Sequence, residues 1–131
     1  MIRILFLCTG NSCRSQMAEG WANYLGKGKV AAFSAGVAPA ARVMPEAVAA
    51  MKEVGIDISA QYPKDAETFV GEAFDYIITL CDNARESCPY FPGTATRLHW
   101  PIPDPYGHDL EIYRKARDEI RERIDGFLRG F

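Results

Sequence analysis

An α/β fold is what this sequence predicts: one domain, residues 1–131, in three layers with a parallel sheet in the middle. Short, unbroken apolar runs alternate with stretches of helical periodicity. The runs lack the in–out alternation of a half-solvated strand, so they suit strands covered on both faces. No repeat, low-complexity tract or linker-like boundary interrupts the chain, and its 131 residues suffice for one packed core.

Arg3–Cys8 is the first such run, followed by a turn over Thr9–Ser12. Ser15–Leu25 reads as a helix, with Met17, Ala18, Trp21 and Leu25 on one stripe. Val30–Ser34 is a second strand, closed by Ala35 and Gly36. Pro45 suits the first turn of a helix that carries Val48, Met51 and Val54 and stops near Gly55. Tyr76–Leu80 is a third strand, continuous and rich in β-branched residues. Pro92, Pro101, Pro103 and Pro105 make residues 92–109 a loop around at most a short strand. The spacing of Leu110, Tyr113, Ala116, Ile120, Ile124 and Phe127 predicts a closing amphipathic helix. In such folds ligands bind beyond the carboxyl ends of the strands, where Cys8, Cys81 and Asp104 can meet.

The balance of 15 basic and 17 acidic side chains gives a net charge of −2, without the basic stripe that nucleic acid requires. No run approaches the ~20 apolar residues of a membrane span. The apolar start runs directly into a Gly-Asn-Ser turn, unlike a secretory signal, so a cytoplasmic protein is expected, and with it a monomer without membrane or nucleic-acid partners as a separate expectation. Stable disulfides are rare in that compartment, and four cysteines there point to catalysis, redox chemistry or metal.

Cys8-Thr9-Gly10-Asn11-Ser12-Cys13-Arg14-Ser15 joins a buried strand to a helix. Such a loop can aim successive N–H groups inward as an anion nest, reinforced by the helix N-terminus. Arg14 adds a planar fork of donors for a tetrahedral oxyanion. Cys8 then sits in a positive field that should lower its pKa, with Ser15 able to donate to the sulfur. A thiolate in an oxyanion cradle is a nucleophile for covalent catalysis. The competing reading is a buried strand-end cysteine beside an ordinary capped helix. The strand before, the helix after and the Arg-Ser pair favour the nucleophile.

This loop resembles that of the low-molecular-weight protein tyrosine phosphatases and of the arsenate reductases that share their fold. Phe33–Gly36, Glu53–Ser59 and Asp104-Pro105 extend the resemblance over essentially the whole chain. It implies a central four-stranded parallel sheet in flavodoxin-like order. Thr79–Pro89, with Cys81 and Cys88, is similar to the redox segment of thioredoxin-coupled reductases, and Gln16–Trp21 lacks the proline that phosphatases usually place after Arg-Ser. Tyr106, after Asp104-Pro105, is similar to the phosphatase loop instead. The balance favours the reductase.

A separate physical argument concerns the same pair. Seven helical steps from 81 to 88 span about 10 Å, whereas a disulfide needs Cα atoms within about 7 Å. A helix there must unwind before the sulfurs bond, and Asp82, Asn83, Ser87 and Pro89 make that feasible. The segment therefore reads as a redox switch, ordered when reduced and looped out when oxidised. Two unrelated buried cysteines, or a zinc site lacking the usual spacing, are the alternatives.

The resemblance implies a reaction. Arsenate, with phosphate or sulfate as mimics, binds residues 9–14. Cys8 attacks arsenic while Asp104 protonates the departing oxygen, a role that suits a carboxyl whose pKa is raised. Cys81 attacks Cys8, Cys88 attacks Cys81, and thioredoxin reduces the disulfide. Cys13 reads as packing. Asp104 can alternatively be a turn residue, and His99 and His108 surface or packing residues. No cofactor is required, although some relatives bind a monovalent cation behind the loop, and Asn11, Glu19 and Ser34 match those positions for potassium. A phosphatase using Cys8, Arg14 and Asp104, with Cys81 and Cys88 as a redox guard, is the other enzymatic reading. A cysteine-based arsenite or metal sensor is the non-enzymatic one, and the acidic residues of the last helix weigh against it.

Overall fold

The computed structural model describes residues 1–89 and 91–131. Strand β1 (Ile2–Cys8) lies between β2 (Val30–Gly36) and β3 (Tyr76–Thr79), with β4 (Thr96–His99) beyond β3. All pairings are parallel, in the order β2-β1-β3-β4. This is the four-stranded flavodoxin-like sheet that was expected. The order reverses at β1, so a crevice opens beyond its carboxyl end, beside that of β3.

The unbroken apolar character of β1 follows from its two buried faces. Ile4, Phe6 and Cys8 enter one core, and Leu5 and Leu7 enter the other. Fully burying a side chain of this size contributes about 1.5–3 kcal/mol. The first core lies under α1 (Arg14–Leu25), α2 (Pro45–Glu53) and α4 (Leu110–Leu128). Asp109 caps α4, accepting from the Ile112 amide at 3.3 Å.

The buried stripe of α2 differs from the expected Val48, Met51 and Val54. Ala47, Ala50 and Met51 are buried, and Val54 lies beyond the helix. Alanine brings the α2 backbone close enough for the buried Arg117 of α4 to donate to Ala50 O at 2.9 Å, while Glu53 receives the same guanidinium at 2.8 Å. Gly20 lets the segment after α2 approach α1. A Cβ there would sit 2.8 Å from Ile58 Cγ2.

The second core is aromatic. Phe74 meets Phe33 and Phe69 edge-on at 5.9 Å and Phe91 at 6.5 Å. It is covered by a 3₁₀ turn, Ala66–Phe69, and by α3 (Asp82–Ser87). The 3₁₀ turn has no periodic signature, and sequence reasoning assigned nothing there. No helix among the described residues is long and apolar enough to cross a membrane.

Candidate active site

The loop after β1 is shaped from outside by the segment that follows β2. Val37 N donates to Cys8 O, Ala38 N to Thr9 O, Ala40 N to Gly10 O and Met44 N to Ser12 O, at 2.9–3.2 Å. Because N–H and C=O point oppositely across a planar trans peptide, drawing these carbonyls outward turns the following amides inward. Residues 37–44, for which sequence reasoning had no role, thus orient the peptides of this loop.

Asn11 is the internal brace of the loop. Its φ of +51° lies in the left-handed region, which asparagine tolerates better than most residues. Its side-chain oxygen accepts from Lys64 N at 2.9 Å, and its Nδ2 donates to Ser15 Oγ at 2.7 Å. Gln16 Nε2 donates to Asn11 O at 3.0 Å. Asn11 is fully buried, so each of these bonds replaces lost water.

Cys8 Sγ lies 2.8 Å from Ser15 Oγ and accepts from Asn11 N at 3.2 Å. Ser15 Oγ already accepts from Asn11, which leaves its own proton for the sulfur. Even so, the expected fall in the Cys8 pKa is not met. Burial pushes the thiol above its ordinary value and outweighs the Ser15 and Asn11 hydrogen bonds and the Arg14 charge.

Cys8, Thr9, Gly10, Ser12, Arg14 and Asp104 line a cavity of about 250 Å³, with the exposed Tyr106 at its mouth. Arg14 is almost fully buried and anchored through Nη1 to Ile102 O at 3.0 Å. Its Nη2 lies 3.5 Å from Asp104 Oδ2, on a half-exposed carboxylate. The other Asp104 oxygen accepts from Tyr106 N at 3.0 Å. Asp104 therefore closes the turn expected of it and also faces the cavity. Cys13 contributes backbone to the loop, but its side chain is buried 3.5 Å from Tyr113 Oη, in a packing position.

Cys81 and Cys88 flank α3 at its two ends. Cys81 Sγ caps the helix, accepting from Ala84 N at 3.3 Å, and lies 3.3 Å from Thr9 Oγ1. Asn83 Nδ2 donates to the same threonine oxygen at 3.1 Å. Cys88 Sγ donates to Pro89 O at 3.3 Å and lies 3.7 Å from Arg97 Nη1. All four cysteines are free thiols, and α3 is formed. His99, expected on the surface or in packing, clasps the start of this helix. Its ring nitrogens lie 2.7 Å from Thr79 Oγ1 and 2.9 Å from Asp82 Oδ1.

Of the residues matched to a potassium site, Ser34 Oγ donates to Glu19 Oε1 at 2.7 Å, and Asn11 Oδ1 is occupied by the Lys64 amide. Lys64 Nζ lies 3.8 Å from the same Glu19 oxygen. A donor set that already faces an ammonium does not fit a further cation.

Strand order, the loop from Cys8 to Ser15 and the buried Cys8 at its start define a phosphatase-like α/β protein, and sequence comparison agrees. Residues 3–130 match the family described as low molecular weight phosphotyrosine protein phosphatase, and the chain belongs to this family. An arsenate reductase of Brevibacillus brevis is 49% identical over 125 residues, covering 95% of this chain and 92% of the relative. A glutaredoxin arsenate reductase of Synechocystis is 41% identical, covering 98% and 97%. The solved structure of an arsenate reductase in the phosphate-binding state superposes with a TM-score of 0.86 at 40% identity, covering 99% of this chain and 98% of that one.

Proposed function

We propose that this protein reduces arsenate to arsenite, with Cys8 as nucleophile and Cys81 and Cys88 as a thiol relay. The observation that carries the reading is the placement of Cys81 against Thr9 of the nucleophile loop, at one end of a short helix whose other end is Cys88. A phosphatase needs no thiol there. The relatives named as arsenate reductases support the same choice.

Arsenate enters the cradle against the inward amides and the Arg14 fork. Cys8 sulfur displaces one arsenate oxygen, which leaves as water with protons supplied by the thiol and by Asp104. Cys81 sulfur then attacks Cys8. As the Cys8–Cys81 disulfide forms, the electron pair of the sulfur–arsenic bond stays on arsenic, which departs as arsenite. Two thiols have been oxidised and arsenic has gained two electrons. Cys88 attacks Cys81, releasing Cys8 and moving the disulfide to the pair flanking α3. A dithiol reductant of the thioredoxin type restores both thiols, and one relative's name points to glutaredoxin as the competing donor. This chemistry suits a reducing compartment such as the cytoplasm.

The test is arsenate-dependent NADPH oxidation coupled to thioredoxin and thioredoxin reductase, repeated with glutaredoxin and glutathione. Hydrolysis of p-nitrophenyl phosphate is measured in parallel. Thiol-dependent oxidation with either donor supports the reductase and identifies the donor. Thiol-independent hydrolysis without oxidation would establish the second reading, a phosphatase, which the positions of Asp104 and Tyr106 at the cradle favour.

A further inference from the structure

Behind the nucleophile loop, Glu19 and Lys64 face each other with little access to water. Their side chains are 15% and 17% exposed, and Lys64 Nζ lies 3.8 Å from Glu19 Oε1. The ammonium also donates to Tyr62 O at 2.8 Å and sits 4.9 Å from the Tyr62 ring centroid. It thus has a carboxylate, a carbonyl and a ring face around it, much as a bound monovalent cation would. The Lys64 backbone belongs to the same unit. Its amide donates to Asn11 Oδ1, its carbonyl accepts from Gly36 N at 2.8 Å, and Asn11 continues through Ser15 to Cys8.

We infer that Lys64 is a built-in cation for the nucleophile loop, balancing the Glu19 carboxylate so that the loop works without potassium. A potassium ion on Glu19, Ser34 and Asn11 would meet an ammonium of like charge and an Asn11 oxygen already in use. Burial pushes Glu19 up and Lys64 down from their ordinary values, and each charge partly offsets the shift of the other. Removing the lysine charge leaves an uncompensated carboxylate one helical turn beyond Ser15, which disfavours a thiolate at Cys8. Lys64 is therefore a positioning residue, acting on Cys8 through charge and through Asn11.

The inference rests on Cys8 being the nucleophile of the proposed reaction, and its test reads that thiol directly rather than arsenate turnover. Iodoacetamide alkylation of Cys8 in the reduced full chain is followed by peptide mass spectrometry across pH, in potassium chloride and in choline chloride of equal ionic strength. The wild-type profile is expected to be the same in both salts. Lys64→Met is expected to shift the profile to higher pH and to slow alkylation near neutrality by about threefold to tenfold. Lys64→Arg and the double change Lys64→Met with Glu19→Gln are expected to return to the wild-type profile, because each restores the charge balance. Thermal unfolding establishes that each variant is folded, and if Lys64→Met is not, the other two variants and the salt comparison decide. A potassium-specific shift in the wild type, a wild-type profile in Lys64→Met, or no recovery in the double variant would overturn the inference.

Discussion

Thr9 Oγ1 accepts a hydrogen bond from Asn83 and lies 3.3 Å from Cys81 Sγ, so one hydroxyl joins the loop after β1 to the start of α3. This link holds Cys81 against the loop that begins at Cys8, the arrangement that the proposed relay requires.

Cys88→Ser should leave the first two steps intact and block the third. Rapid mixing with arsenate should yield about one arsenite per enzyme, the stoichiometry of a single thiolate-exchange cycle. Non-reducing mass spectrometry should then find a Cys8–Cys81 disulfide. Sustained turnover by this variant with thioredoxin would contradict the relay.

The His99 clasp on Asp82 predicts how α3 opens. His99→Ala removes both ring contacts and should cost on the order of 1 kcal/mol, felt mainly in this helix. Hydrogen exchange at residues 82–88 should speed up while the β1 amides stay protected. Oxidation of the wild type should raise exchange in the same segment, since the helix spacing must collapse for Cys81 and Cys88 to bond. Equal protection in both redox states would dismiss the switch.

Cys8 should react as a thiol of raised pKa. Burial disfavours its thiolate, so alkylation should be slow at neutral pH and climb beyond the ordinary thiol range. Ser15→Ala deletes a donor to the sulfur and should move the climb still higher. The linked stability has the matching sign. The folded state holds a proton that the unfolded chain gives up, so this contribution is present below the ordinary thiol pKa. It is lost as pH rises through the raised value.

Gly36→Ala tests the cradle without touching a reactive group. The added methyl would lie 2.6 Å from Thr9 O and 3.0 Å from Asn11 N, both backbone atoms of the loop. Overpacking of this kind costs about 1–3 kcal/mol. Calorimetry should show phosphate binding weakened by more than the loss in denaturant stability explains. Unchanged binding would mean that the loop yields freely.

Glu53 joins α2 to α4 through Arg114 at 2.7 Å and Arg117 at 2.8 Å. Hydrogen bonds from these guanidiniums hold its carboxyl near a pKa of about 2, below its ordinary 4.5. A depressed carboxylate stabilises the fold above the unfolded value and loses that contribution as pH falls through the folded one. Glu53→Gln should therefore melt below wild type at neutral pH, and the two melting curves should converge on acidification. A gap independent of pH would point to packing instead of charge.

The strands of the sheet centre and the long helices were legible because each carries its own period. β1 shows two buried faces as an unbroken apolar run, and α4 shows one as a helical stripe. The Cys8–Ser15 loop was legible from its residue types and spacing. The clasp of His99 on Asp82, and Lys64 facing Glu19, were not, because each joins residues distant in sequence on elements with no mutual periodicity. The α2 face was misjudged for a similar reason. Hydrophobicity favoured Val48 and Val54, whereas the close approach of α4 selected Ala47 and Ala50.

What the sequence by itself determined is the local grammar of the molecule: parallel strands, the strand–loop–helix around Cys8, and a cysteine at each end of a weak helix. Only the tertiary structure decided which way the loop amides face, how strongly Cys8 holds its proton and what charge stands behind the loop. Those properties depend on burial and on long-range partners, namely the Val37–Met44 amides, the Asn11–Ser15 brace and the Lys64 ammonium. Desolvation and Coulomb interactions follow distance in space, and chain order does not specify it.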